Sequence, residues 1–361
     1  MFRVPSQLPW LMIFTILALC ALSVYNLQET VGPHIQDMEF QQLKWFGIAS
    51  VGLVIAALID MRFLLRVSPL IYLVMNALLV LVLLIGKVVN GSRRWIDLGA
   101  FNFQPSEVAK IGLVVSLAAW FHHRNKPVYQ SWDIGLLGLL IGLPMFLVFQ
   151  EPDLGHTLML LLITLSMCTV ERFERRSLVK LSLGGLLFTP IAWMFVLKDY
   201  QKRRILTLID GKVDRLGSGW HAQQSEIAVG SGGLTGQGQG LGSQVAGGFL
   251  PENHTDFVFA KLSEDHGLIG AIFALSLYLM LLYCILYTAS SARDRFGRHV
   301  SLGVAGMIFW HVVMNVGMVL NLLPVTGVTL PILSYGGTSL VTIFGALGLV
   351  IACHGQRRIF V

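Results

Sequence analysis

Residues 69–89 read PLIYLVMNALLVLVLLIGKVV, with no charged residue between Arg66 and Lys87. A helix rises about 1.5 Å per residue, so roughly twenty such residues cross the ~30 Å of bilayer hydrocarbon. The run is continuous and Leu-rich, unlike the short apolar–polar alternation of a membrane barrel strand. Similar runs occupy approximately residues 11–25, 44–59, 106–121, 134–149, 155–170, 177–197, 268–288, 300–322 and 337–353. The 361-residue chain is 55% hydrophobic and 13% charged, and its mean hydropathy of +0.70 lies far above the soluble balance. The expected fold is an all-α polytopic membrane protein of about ten transmembrane helices, forming a single domain over residues 1–361.

Lys and Arg near span ends tend to stay cytoplasmic. Arg3, Arg62 with Arg66, Arg124 with Lys126, Arg172 with Arg175 and Arg176, Arg293 with Arg295 and Arg298, and Arg357 with Arg358 fall on alternate sides. Both termini are therefore expected in the cytoplasm. Residues 29–39, the turn 151–153 and a long segment 198–267 between helices 7 and 8 then face outward. One outer segment, 87–105, breaks the rule by carrying Lys87, Arg93 and Arg94 against a single acid, Asp97. The apolar N-terminus reads as an uncleaved first span rather than a signal peptide. The four cysteines show no paired spacing, so neither a disulfide framework nor a cysteine metal site is expected.

The segment 198–267 is too polar to span and too long for a simple connector. It holds Lys198, Lys202, Arg203 and Arg204, then the glycine-rich GSGGLTGQGQGLG of residues 230–242, then FLPENHTDFVF of residues 249–259. The glycines match no nucleotide motif: G-x-G-x-x-G is absent, and Gly211-Lys212 is followed by Val213 where a P-loop needs Ser or Thr. They read instead as turns or as a backbone made for close approach. Asp256 stands against Phe257, Val258 and Phe259, where burial disfavours the charged form and can poise a general base. A cap by Thr255 or Asp256 for the helix that follows, with Glu252 and His254 solvated, is the alternative.

Glu107 and Lys110 share a helical face at the start of a span, where intramembrane ions need a partner or a wet cavity. Pairing for function and simple accommodation at a helix start both fit. Asp153 either caps the next helix or faces the same cavity as the other acids. His311 and Asn315, four apart on an apolar helix, read as interhelical packing. Gly138 and Gly142 form a G-x-x-x-G pattern suited to close helix contact, within the chain or with a partner.

Taken in order, NGSRRWIDLGAFNFQPSEVAK (residues 90–110), EPDLGHT (151–157), QSEIAVGSGG (224–233), FLPENHTDFVFAKLSEDHGLIGA (249–271) and NVGMVLNLLPVTGVTLPILSYGGTS (315–339) resemble the SEDS family of bacterial cell-wall glycosyltransferases, in its elongation branch. The resemblance implies polymerisation of lipid II in the inner (cytoplasmic) membrane, with Asp256 as catalytic base and an active site facing outward. It implies substrate-binding roles for Glu107, Lys110 and Asp153, with His254 and Thr255 orienting the base. Arg93, Arg94, Trp95, Arg203 and Arg204 are the candidates for binding the substrate and its pyrophosphate. The implied ion is magnesium or manganese, with no nucleotide, and the implied partners are a class B penicillin-binding protein and other elongation-complex proteins, with no nucleic acid. Glu151 stands where many members have Gln, and His156 stands before the Thr of GHT where many have Thr directly. A lipid II flippase, a division-type homologue and a non-catalytic scaffold are the competing readings.

Overall fold

The computed structural model describes residues 8–28, 38–89, 92–99, 101–209, 217–250 and 252–356. Arg3, Glu29, Lys212, Arg357 and Arg358, with Asn90 and Pro251 of the quoted motifs, lie outside the described residues. Seven helices precede the long segment: α1 (Leu8–Leu27), α2 (Met38–Ala57), α3 (Met61–Ile85), α4 (Pro105–Arg124), α5 (Ser131–Gln150), α6 (Leu154–Cys168) and α7 (Arg175–Ile191), the last running into a π-helical turn at Ala192–Val196. The segment holds α8 (Asp199–Ile209), α9 (Ser218–Ser231) and α10 (Ser243–Ala246). Then come α11 (Val258–Ser291), α12 (Arg295–Val319) and α13 (Gly337–Gln356). Eight of these helices are long and apolar enough to cross a membrane. The two remaining expected spans fall on α4, which carries Glu107 and Lys110, and on α6, an apolar helix of 15 residues.

The elements depart from the sequence reading in two places. The segment between α3 and α4 is not featureless: β1 (Lys87–Val89), β2 (Ser92–Asp97) and β3 (Asn102–Phe103) form a small antiparallel sheet in that order. Strands this short carry no usable apolar alternation. α11 begins ten residues before its expected span, because Lys261, Glu264 and Asp265 depress the hydropathy of a stretch whose side chains are nonetheless buried. It breaks at Gly267, whose φ of +66° suits glycine. The glycine-rich segment makes the turns and the close approach expected of it, with positive φ at Gly233, Gly236, Gly238 and Gly240. Gln237 and Gly238 donate to the carbonyls of Glu264 and Asp265, and Leu268 donates to Gly233. The Glu264 carboxylate accepts the backbone N–H groups of Gln244 and Val245 at 2.8 and 3.1 Å.

Lipid supplies no hydrophobic drive between helices, so their association rests on close packing and hydrogen bonds. α12 and α13 form the buried centre, whereas nothing in the apolar stretch of α7 is buried. Gly303 of α12 makes room for Val114 of α4, and Gly348 of α13 for the Leu53 carbonyl of α2. Gly138 and Gly142 do no such work inside the chain: a side chain added at either would meet no atom within 4 Å.

Candidate active site

Asp256 lies in the turn 252–257 that leads into α11. Phe257, not Thr255 or Asp256, holds the N-cap position, and no side chain caps the helix. Thr255 turns its hydroxyl to the Glu252 carboxylate at 3.0 Å. The turn is instead tied by its carbonyls to the loop between α12 and α13. Tyr335 N–H donates to His254 O at 2.8 Å, the Ser334 hydroxyl donates to Thr255 O at 2.6 Å, and Asn315 Nδ2 donates to Asp256 O at 2.8 Å. Asn315 also donates to Val328 O at 2.8 Å, so one buried amide holds both segments together.

This leaves the Asp256 carboxylate free of side-chain work and partly accessible. One of its oxygens lies against Gly327, at 3.3 Å from where a β-carbon would stand, and the φ of +71° there favours glycine as well. Burial, and then the charge of Glu252, pushes the carboxyl up to about 6, while Arg94, His156 and Arg204 pull the other way.

Arg94 and His156 belong to a buried chain of charges reaching across four elements. Arg94 on β2 pairs with Asp153 at 3.1 Å. Asp153 caps α6 through the His156 N–H at 3.0 Å and meets the His156 ring at Nδ1, again at 3.0 Å. The same ring reaches Glu107 of α4 with Nε2 at 2.8 Å, and the other oxygen of Glu107 pairs with Lys110 at 2.9 Å. Lys110 Nζ lies 2.8 Å from His311 Nε2, whose Nδ1 donates to Thr329 O at 2.9 Å. Glu107, Lys110, Asp153, His156 and His311 are all buried. Both carboxylates sit at helix N-termini, where the peptide dipoles favour negative charge. With the ring doubly protonated, three cations face two carboxylates, a positive surplus beside Asp256.

A second arginine adds to it. Arg204 of α8 donates to Val325 O at 3.1 Å and lies over the Tyr200 ring, whose hydroxyl donates to Pro152 O at 3.0 Å. Other candidates stand apart. Arg93 and Trp95 share the opposite face of β2 from Arg94, as strand alternation requires, and Arg93 donates to Leu83 O at 3.0 Å. Arg203 is exposed on α8. The His254 ring comes no nearer than 3.9 Å to Glu252, and burial pushes it down from the usual imidazole range. The structure brings together Asp256, Arg94, Asp153, Glu107, Lys110 and Arg204, and adds His156, His311 and Asn315, which sequence reasoning treated as local variation or packing.

A family model described as the FtsW/RodA/SpoVE cell cycle proteins matches residues 4–359. The chain belongs to this family. Its relatives include the peptidoglycan glycosyltransferase MrdB of Escherichia coli K12, 37% identical over 347 residues that cover 96% of this chain and 93% of the relative. The peptidoglycan glycosyltransferase RodA of Treponema pallidum is 29% identical, with 98% of each chain covered. Among solved structures, a chain of a peptidoglycan synthase complex for polymerization and crosslinking superposes with a TM-score of 0.83 at 31% identity, covering 97% of this chain and 98% of that one. The rod shape determining protein RodA of Thermus thermophilus gives 0.72 at 29% identity, covering 97% of each.

In this FtsW/RodA/SpoVE member, the described side chains around Asp256 offer no ready set of divalent-metal ligands. Among the described residues no group of three or more His, Cys, Asp or Glu is disposed around one point. The two carboxylates on either side of His156, Glu107 and Asp153, are already paired with Lys110, His156 and Arg94. No step below is routed through a metal ion.

Glu151 is a second finding at the same turn. It is buried, neither carboxylate oxygen has a hydrogen-bond partner, and burial together with the Asp153 charge pushes it up to about 8. An unfolded Glu titrates near ~4.3. Between about pH 4.3 and 8, the unfolded chain has released a proton that the folded chain keeps, so stability falls as pH rises through that window. Glu151→Gln removes this cost. Thermal unfolding at pH 7 should show a gain on the order of 2 kcal/mol that shrinks toward pH 4.

Proposed function

We propose that Asp256 is the general base of a glycan polymerase. The chain is a peptidoglycan glycosyltransferase by kinship, of the elongation type represented by its MrdB and RodA relatives. Asp256 takes the proton of the acceptor sugar's 4-hydroxyl as that oxygen bonds to the anomeric carbon of the lipid-linked donor. The bond from that carbon to the pyrophosphate breaks, undecaprenyl pyrophosphate leaves, and the configuration inverts. Charge growing on the leaving group is offset by donors already in place, which lowers the barrier without reorganisation. Arg94 and Arg204 are the nearest candidates, backed by the surplus charge of the buried chain. The acceptor and donor are lipid II and its polymer, delivered from the bilayer. The site faces outward from the inner membrane, and a class B penicillin-binding protein crosslinks the product.

The observation that carries this reading is Asp256 itself: a partly accessible carboxylate with no side-chain hydrogen-bond partner among the described residues, fixed through its own backbone, beside two arginines. A base must be ionised to work. The kcat/KM for lipid II polymerisation is therefore expected to fall about tenfold per pH unit below about pH 6 and to be flat just above it. A pH–rate profile with its acid limb near ~4, the range of an ordinary Asp, would remove the poised-base account.

A further inference from the structure

The ring of His156 lies between two carboxylates from separate elements. Nε2 is 2.8 Å from Glu107 Oε1, and Nδ1 is 3.0 Å from Asp153 Oδ2. All three residues are buried. Both ring nitrogens face acceptors, and only the doubly protonated imidazole donates from both. A cation binding one oxygen from each of two apposed carboxylates is the arrangement by which a divalent ion joins such groups. Here it is met by a side chain. Lys110 holds the other Glu107 oxygen, Oε2, at 2.9 Å, and Arg94 shares Asp153 Oδ2 with the ring, at 3.1 Å.

We propose that His156 is a positioning residue that stands in for a bridging divalent cation, locking α4 to the start of α6 and so fixing Arg94 beside Asp256. The chain carries this cation covalently, and the gap between Glu107 and Asp153 does not take up magnesium or manganese while the ring fills it. Removing the ring leaves two buried carboxylates facing one another across a space for an ion. The idea rests on the proposed polymerase reading only for its effect on rate; ion uptake is independent of it.

The test uses purified full-length wild type, Asp153→Asn, His156→Ala and His156→Ala/Asp153→Asn. Manganese binding to each protein is followed without substrate by electron paramagnetic resonance, and polymerisation is assayed in chelator and with manganese restored. Wild type is expected to take up no manganese that depends on Asp153. His156→Ala is expected to gain stoichiometric uptake, and the double variant to lose it. The rate of His156→Ala in chelator should be about 10- to 100-fold below wild type and should rise when manganese is added. Should His156→Ala accumulate poorly, its folded yield becomes the readout. Manganese during purification, or Asp153→Asn as a second change, should then restore it. Uptake by wild type that Asp153→Asn abolishes, no gain of uptake in His156→Ala, or a yield indifferent to both remedies would each overturn the proposal. A wild type that binds no manganese and makes no polymer would count against the polymerase reading instead, leaving the uptake comparison intact.

Discussion

Replacing Asp256 by asparagine lowers kcat/KM for lipid II polymerisation by about 10²- to 10⁴-fold, the range a positioned general base supplies. The fold should not move. Among the described residues the Asp256 carboxylate has no hydrogen-bonded side-chain partner, and its turn is held by the carbonyls of His254, Thr255 and Asp256, which the substitution leaves in place. Melting temperature therefore separates this loss from misfolding: Asp256→Asn should melt at or slightly above the wild-type temperature, because burying an amide costs less than burying an acid held near its charged form. A rate loss accompanied by early melting would assign Asp256 a structural role.

The second large effect belongs to Glu107. Its carboxylate is the link between Lys110 and His156, and all three are buried. Glu107→Gln strands Lys110 without its counter-ion, and breaking a buried pair in this way costs about 3–5 kcal/mol. Stability should fall by that order in thermal unfolding. Adding Lys110→Met should recover much of it, since the stranded charge goes as well. Polymerisation should stay low in the double variant, because the His156 ring has lost one of its two charged anchors and no longer ties α4 to the turn that holds Arg94. Recovery of stability and rate together would mean that the pair serves folding alone.

The spans were legible because each is a long continuous apolar run, a signal that needs no partner to interpret. Glu107 and Lys110 were legible for a similar reason, since their spacing of three fixes a shared face within one helix. The buried chain beyond them was not. His156 meets Glu107 across 49 positions of sequence, and Lys110 meets His311 across 201. A lone His on an apolar helix gives no sign of which charge waits opposite, so packing is the natural reading of His311 and Asn315. Arg94 and Arg93 are adjacent letters, and only the pairing of β2 with its neighbours sends one to Asp153 and the other to Leu83. The helix cap weighed for Thr255 failed because a carboxylate three residues away, Glu252, took its hydroxyl.

Incubating the purified protein, together with the proposed penicillin-binding partner, with lipid II in detergent tests the central claim most directly, because no bilayer is present to be crossed. Wild type is expected to convert lipid II into glycan polymer while releasing undecaprenyl pyrophosphate, and Asp256→Asn in the same complex to release none above background. Polymer formed at the wild-type rate by Asp256→Asn would contradict the account.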